Sequence, residues 1–147
     1  MKAIRVPALG LVLLCALAAF GREPESFEGL KTRCNSASPQ EQPRSCVDVA
    51  KFQLRAADEF VKAGNGQQAH AAVDDVVTYA TKAADASTKT GKRLKDTEIE
   101  LRKLAEKLRS LKRNADFEDQ APIQKATDQI EGLRTELLSR MFGKKAK

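Results

Sequence analysis

The stretch AHAAVDDVVTYATKAADASTKTGKRLKDTEIELRKLAEKLRSLKRNA, residues 69–115, decides the fold. Counted in sevens it keeps one register. One seam position reads Val73, Ala80, Ser87, Leu94, Leu101, Leu108 and Ala115; the other reads Ala69, Val76, Ala83, Thr90, Thr97, Leu104 and Leu111. Both positions hold small, apolar or hydroxyl side chains and no charge. A seam that repeats every 3.5 residues lets a helix lie along other helices in a shallow left-handed wrap. The pattern therefore predicts one long helix over about residues 67–114, roughly 70 Å at 1.5 Å per residue. Its weak middle is Ser87, Thr88, Thr90 and Gly91, and a glycine inside a helix costs about 1 kcal/mol relative to alanine. The alternative is a chain reversal at Thr88–Lys92, giving a four-helix bundle with a break near Gly91. The unbroken rod is favoured because the register does not slip there and no Pro, Asn-Gly or Asp cluster builds a turn.

Two shorter helices are expected to cover the rod. Ser45 is a candidate N-cap with Asp48 three residues on. From Val47, the apolar spacing of Val49, Ala50, Leu54, Ala57, Phe60 and Val61 gives a helix over about 47–63. Gly64 suits its left-handed end, and the short connection turns the chain back antiparallel. The run Ala56-Ala57, Phe60, Gly64, Ala69, Ala72 resembles a single tetratricopeptide-type helical hairpin. No second copy stands at a 34-residue period, so the likeness implies hairpin packing and no function. The last helix, about 120–142, starts from Asp119 as N-cap with Pro122 in its first turn. It buries Ile123, Ala126, Ile130, Leu133, Leu137 and Met141, with Leu138 and Phe142 extending the stripe and Gly132 marking a close approach. The fold class is thus all-α: an elongated antiparallel helical bundle with one long central helix.

The chain has 147 residues, six Phe, one Tyr, no Trp and a formal net charge of +6. Met1–Gly21 joins a positive start (Lys2, Arg5), an apolar run from Ala8 to Phe20, and small residues at two cleavage positions. It reads as a secretory signal peptide and is too short for a spanning helix. Leu14 precedes Cys15 and apolar residues follow it, which excludes a lipid-attachment cysteine. Removing Lys2 and Arg5 with the leader lowers the charge to +4. Domain organisation follows: 1–21 leader, 22–46 arm with a disulfide loop, 47–142 helical domain, 143–147 basic disordered tail.

In an oxidising compartment Cys34 and Cys46 pair by default. Two free thiols are the alternative. A metal site is disfavoured, because two thiolates without a nearby His fall short of the four ligands of structural zinc. Residues 35–45, with Pro39, Pro43 and three Ser, read as a loop, and Phe27 and Leu30 as the arm's contacts with the body.

His70 is the only histidine. With no nucleophile beside it, it reads as a surface or hinge-facing residue, and Tyr79, Asp74 and Asp75 as solvated or rim positions. No phosphate loop, zinc-protease, nucleophile-elbow or EF-hand motif occurs, so no cofactor, metal or catalytic residue is assigned and no enzyme is expected. Residues 89–113 hold ten Lys/Arg against four Asp/Glu. A solvated helix face is the ordinary reading. The functional one is a basic strip (Lys89, Lys92, Arg93, Lys95, Arg102, Lys103) that binds an anionic membrane surface or acidic glycan. The leader, and the absence of aromatics among these charges, argue against nucleic acid. The expected function is an exported, non-catalytic helical protein working through protein–protein contacts, as scaffold, adaptor or envelope-associated module in periplasm, envelope or medium. Its protein partner is not named by the sequence, and an uncovered seam would also invite a second copy of the chain.

Overall fold

The computed structural model describes residues 25–143; the expected leader, residues 22–24, and residues 144–147 of the expected tail lie outside the described residues. The described chain forms five helices and no strand: α1 (Phe27–Ser36), α2 (Gln42–Lys62), α3 (Gly66–Thr90), α4 (Leu94–Asn114) and α5 (Phe117–Phe142).

The unbroken rod is wrong. α3 stops at Thr90, and the chain reverses through Gly91–Arg93 into α4. Gly91 takes the left-handed conformation, φ +68°, and its N–H donates to the Ser87 carbonyl at 2.9 Å. This is the αL helix end that glycine favours. Arg93 also sits at positive φ, +57°, a conformation that costs a non-glycine residue on the order of 1 kcal/mol. Three contacts hold it there. Ser87 Oγ and Thr97 Oγ1 share a buried hydrogen bond of 2.7 Å across the turn. Arg93 Nε donates to the Gln40 carbonyl at 2.9 Å, and Arg93 Nη2 to Glu41 Oε1 at 2.6 Å. The threonines before the turn add no outward reach: Thr88 and Thr90 bond back to the Ala84 and Ala86 carbonyls.

Two helical hairpins result, α2–α3 and α4–α5, and they pack into a four-helix bundle. Gln53 on α2 donates to Asp75 on α3 at 2.7 Å. Arg109–Glu131 and Arg134–Glu98 join antiparallel α4 and α5. Between hairpins the neighbours run parallel: Lys51 of α2 pairs with Glu100 of α4, and His70 of α3 with Asp119 of α5 at 2.8 Å. The heptad positions still point inward. Val73, Val76, Ala80, Ala83, Ser87, Thr97, Leu101, Leu104, Leu108 and Leu111 are all buried, facing Val49, Ala50, Ile123 and Ile130 rather than an open groove. Small side chains line α2 and α3; leucines and isoleucines fill the α4–α5 half.

Helix starts differ from the sequence expectation. α2 begins at Gln42, because Pro43 suits the first turn, where a missing N–H is harmless. Ser45 is therefore inside the helix and buried, its N–H donating to the Glu41 carbonyl at 3.0 Å. α5 begins at Phe117, so Pro122 lies within the helix and Asp119 is not its cap. Asp119 instead faces His70, and lies so close to Gly66 that a Cβ there would meet its Oδ1 at 2.8 Å. Gly132 marks no close approach: nothing lies within 4 Å of where its Cβ would stand.

The N-terminal arm carries a helix, α1, and the expected loop over 35–45 shrinks to the few residues between α1 and α2. Ser26 caps α1 by accepting the Gly29 N–H at 3.0 Å. The Cys34–Cys46 disulfide, Cα–Cα 4.7 Å, ties it to the start of α2. Phe27 stacks on Phe52, ring centroids 6.2 Å apart, and meets Tyr79 edge-on at 6.4 Å. Tyr79, expected at the rim, is 7 % exposed for this reason. Asp75 is likewise half-buried by its bond to Gln53.

Two measurements check this architecture. Spin labels at exposed Gln68 and Asn114 report about 70 Å in a continuous helix at 1.5 Å per residue. The reversal puts both at one end of the bundle, within roughly 15–25 Å given helix spacings of 8–10 Å. In urea unfolding, Gly132→Ala raises stability by about 0.5–1 kcal/mol, whereas Gly91→Ala lowers it by roughly 1–2 kcal/mol.

Candidate interaction surfaces

The break at Gly91 divides the basic strip. Lys89 lies in the last turn of α3, Lys92 and Arg93 in the turn, and Lys95, Arg102 and Lys103 on α4. The six do not act as one row. Arg93 is spent on Gln40 and Glu41, and Lys103 on Glu100 at 2.9 Å. Lys89, Lys92, Lys95 and Arg102 are exposed and form no ion pair among the described residues. Further along α4, Arg109 pairs with Glu131 at 2.6 Å, and Lys112 donates to Gln124 Oε1 at 2.8 Å. Of the ten cations of residues 89–113, Arg93, Arg109 and Lys112 thus tie the turn and α4 to neighbouring segments.

Two partly buried charged groups, Glu100 and Arg134, set the electrostatics of α4's contacts. Burial raises the proton affinity of Glu100, but hydrogen bonds and charge from Lys51 and Lys103 outweigh it and hold the carboxyl below the usual range. Burial works against the charged Arg134 guanidinium, yet Glu98 and Glu131 on either side raise its proton affinity overall. Arg134 Nη2 reaches Glu98 Oε1 at 2.6 Å, and Nη1 reaches Glu131 Oε2 at 2.7 Å. The groove between the first halves of α2 and α4 is lined by Arg44, Lys51, Arg93, Asp48, Asp96 and Glu100. Three cations against three carboxylates leave it no net sign with which to select an anion.

His70 is half-exposed, and its partner is Asp119 at 2.8 Å. A carboxylate can orient an imidazole, but acyl-transfer chemistry also needs a nucleophile in hydrogen-bond reach, and no hydroxyl or thiol bonds to His70 among the described residues. The pair joins the first turns of α3 and α5. Among the described residues no three His, Cys, Asp or Glu side chains group as metal ligands, and no helix is long and apolar enough to cross a membrane.

The features that sequence reasoning missed are apolar. Phe117 is 87 % exposed in the first turn of α5; Phe142 is 73 % and Leu138 37 % exposed at its other end. Leu138 and Phe142, expected to extend the buried stripe, are exposed although Leu137 beside them is fully buried, so they stand on the outer side of α5. Phe117 gives no periodic signal because it follows a break in the pattern. Compared with known protein families, curated proteins and solved structures, the chain matches none.

The depressed Glu100 carboxyl has a definite pH signature. A group whose folded-state proton affinity is lowered stabilises the fold above its ordinary titration range, and that contribution disappears as pH falls through the folded value. Urea unfolding at about pH 7 and about pH 3 therefore shows wild type more stable than Glu100→Gln at neutrality, with the difference largely gone in acid.

Proposed function

We propose that this chain is an exported, non-catalytic helical module that works by protein–protein contact, as a scaffold, adaptor or envelope-associated component. The observation that carries the reading is Phe117, an aromatic ring 87 % exposed on a well-fixed corner. The corner is rigid for local reasons. Ala115 is buried, the Asp119 N–H donates to the Asp116 carbonyl at 2.9 Å, and Asp119 packs on Gly66 with its Oδ1 2.8 Å from His70 Nε2. A ring displayed on a stiff support loses little conformational freedom when a partner covers it. Aromatic side chains of this kind anchor interfaces. Export is supported by the leader-like composition of residues 1–21 and by the Cys34–Cys46 bridge.

Capture from envelope extract by the mature chain tests the reading. A protein partner retained at high salt, and lost at least tenfold in Phe117→Ser, is the expected result. Capture indifferent to Phe117→Ser, or turnover of a small substrate by the purified chain, overturns it.

A further inference from the structure

The opposite end of the bundle has a different chemistry. There α3 finishes, α4 starts and α5 finishes. Between residues 89 and 95 the chain has Lys89, Lys92, Arg93 and Lys95 and no acid. Arg93 is held by Gln40 and Glu41, but the three lysines are exposed and unpaired among the described residues. The Arg134–Glu98 pair sets the last turns of α5 beside the first turns of α4. In those turns Leu138 and Phe142 stand exposed one helical turn apart, on one side of the helix. Arg140 is exposed without an ion pair among the described residues, and the sequence continues Lys144, Lys145, Ala146, Lys147. Of the flanking acids, Asp96 already faces Arg93 at 3.8 Å, leaving Asp85 and Glu136.

An exposed Leu–Phe pair bordered by cations matches a bilayer surface with anionic headgroups. Apolar side chains enter the headgroup–acyl boundary, and long basic side chains lie along it with their charges among the phosphates. About 45 residues separate the two segments along the chain; the chain reversal sets them at one end of the bundle. We propose that this end of the bundle docks on an anionic bilayer surface, with Phe142 and Leu138 inserted and Lys89, Lys92, Lys95 and Arg140 at phosphate level. The contact is independent of Phe117, which lies at the other end of α5.

Vesicle co-sedimentation of the mature chain tests it. Vesicles of phosphatidylcholine with roughly a third phosphatidylglycerol bind the protein at least tenfold more tightly than phosphatidylcholine alone, and added salt weakens that binding. Each cation near such a surface is worth roughly fivefold, so the double variant Lys92→Glu with Lys95→Glu loses tenfold or more. Phe142→Ser loses about tenfold while helix content and thermal unfolding stay those of wild type. The chain has no Trp, so Phe142→Trp supplies a single reporter whose emission shifts to the blue on anionic vesicles. Equal binding to neutral and anionic vesicles overturns the proposal. So does Phe142→Ser binding like wild type. Concentration-dependent self-association abolished by Phe142→Ser, without vesicle binding, overturns it too and makes the patch a contact between copies.

Discussion

The reversal at Gly91–Arg93 is the constraint on which the bundle depends. Without it α3 and α4 share one axis, and α5 cannot meet α3 and α4 at once. The turn is not built from an obvious turn sequence. It rests on one glycine at φ +68°, one arginine held at φ +57°, and a buried Ser87–Thr97 hydrogen bond that spans the gap. Arg93 also carries the turn to the loop between α1 and α2 through Gln40 and Glu41. A cation read as part of a binding strip thus closes the fold.

The buried face was legible in the sequence, and the chain direction was not. The heptad pattern identifies Leu101, Leu104, Leu108 and Leu111 as core and finds Val73, Val76 and Ala80 on the same seam. It does so because packing imposes the same 3.5-residue spacing whether a helix continues or folds back. The three residues between α3 and α4 leave the count in phase, so periodicity has nothing to report at Gly91. Helix starts are ambiguous where two cues compete: Ser45 looks like a cap, but Pro43 opens the helix earlier. α1 leaves no periodic signal because its apolar positions, Phe27, Leu30 and Cys34, are too few. The Cys34–Cys46 pairing was legible because, with Cys15 assigned to the expected leader, the two remaining cysteines admit one pairing.

The surface follows a similar logic. Counting charges along residues 89–113 gives a basic strip, but position decides which charges remain available. Arg93, Lys103 and Arg109 are tied to carboxylates, while Lys89, Lys92 and Lys95 are left at one end. Exposure of Phe117 and Phe142 is a property of where α5 begins and ends relative to its neighbours, and no local pattern encodes that. The candidate surfaces are products of topology more than of motif.

The Cys34–Cys46 bridge spans a short segment and joins α1 to α2 alone. No pair among the four long helices is covalently stitched. Reductants and denaturants therefore act on different parts of the molecule. A reductant cuts the one covalent tie of the N-terminal helix, leaving Phe27 and Leu30 as its hold on the body, and touches nothing that keeps the leucine-lined half together.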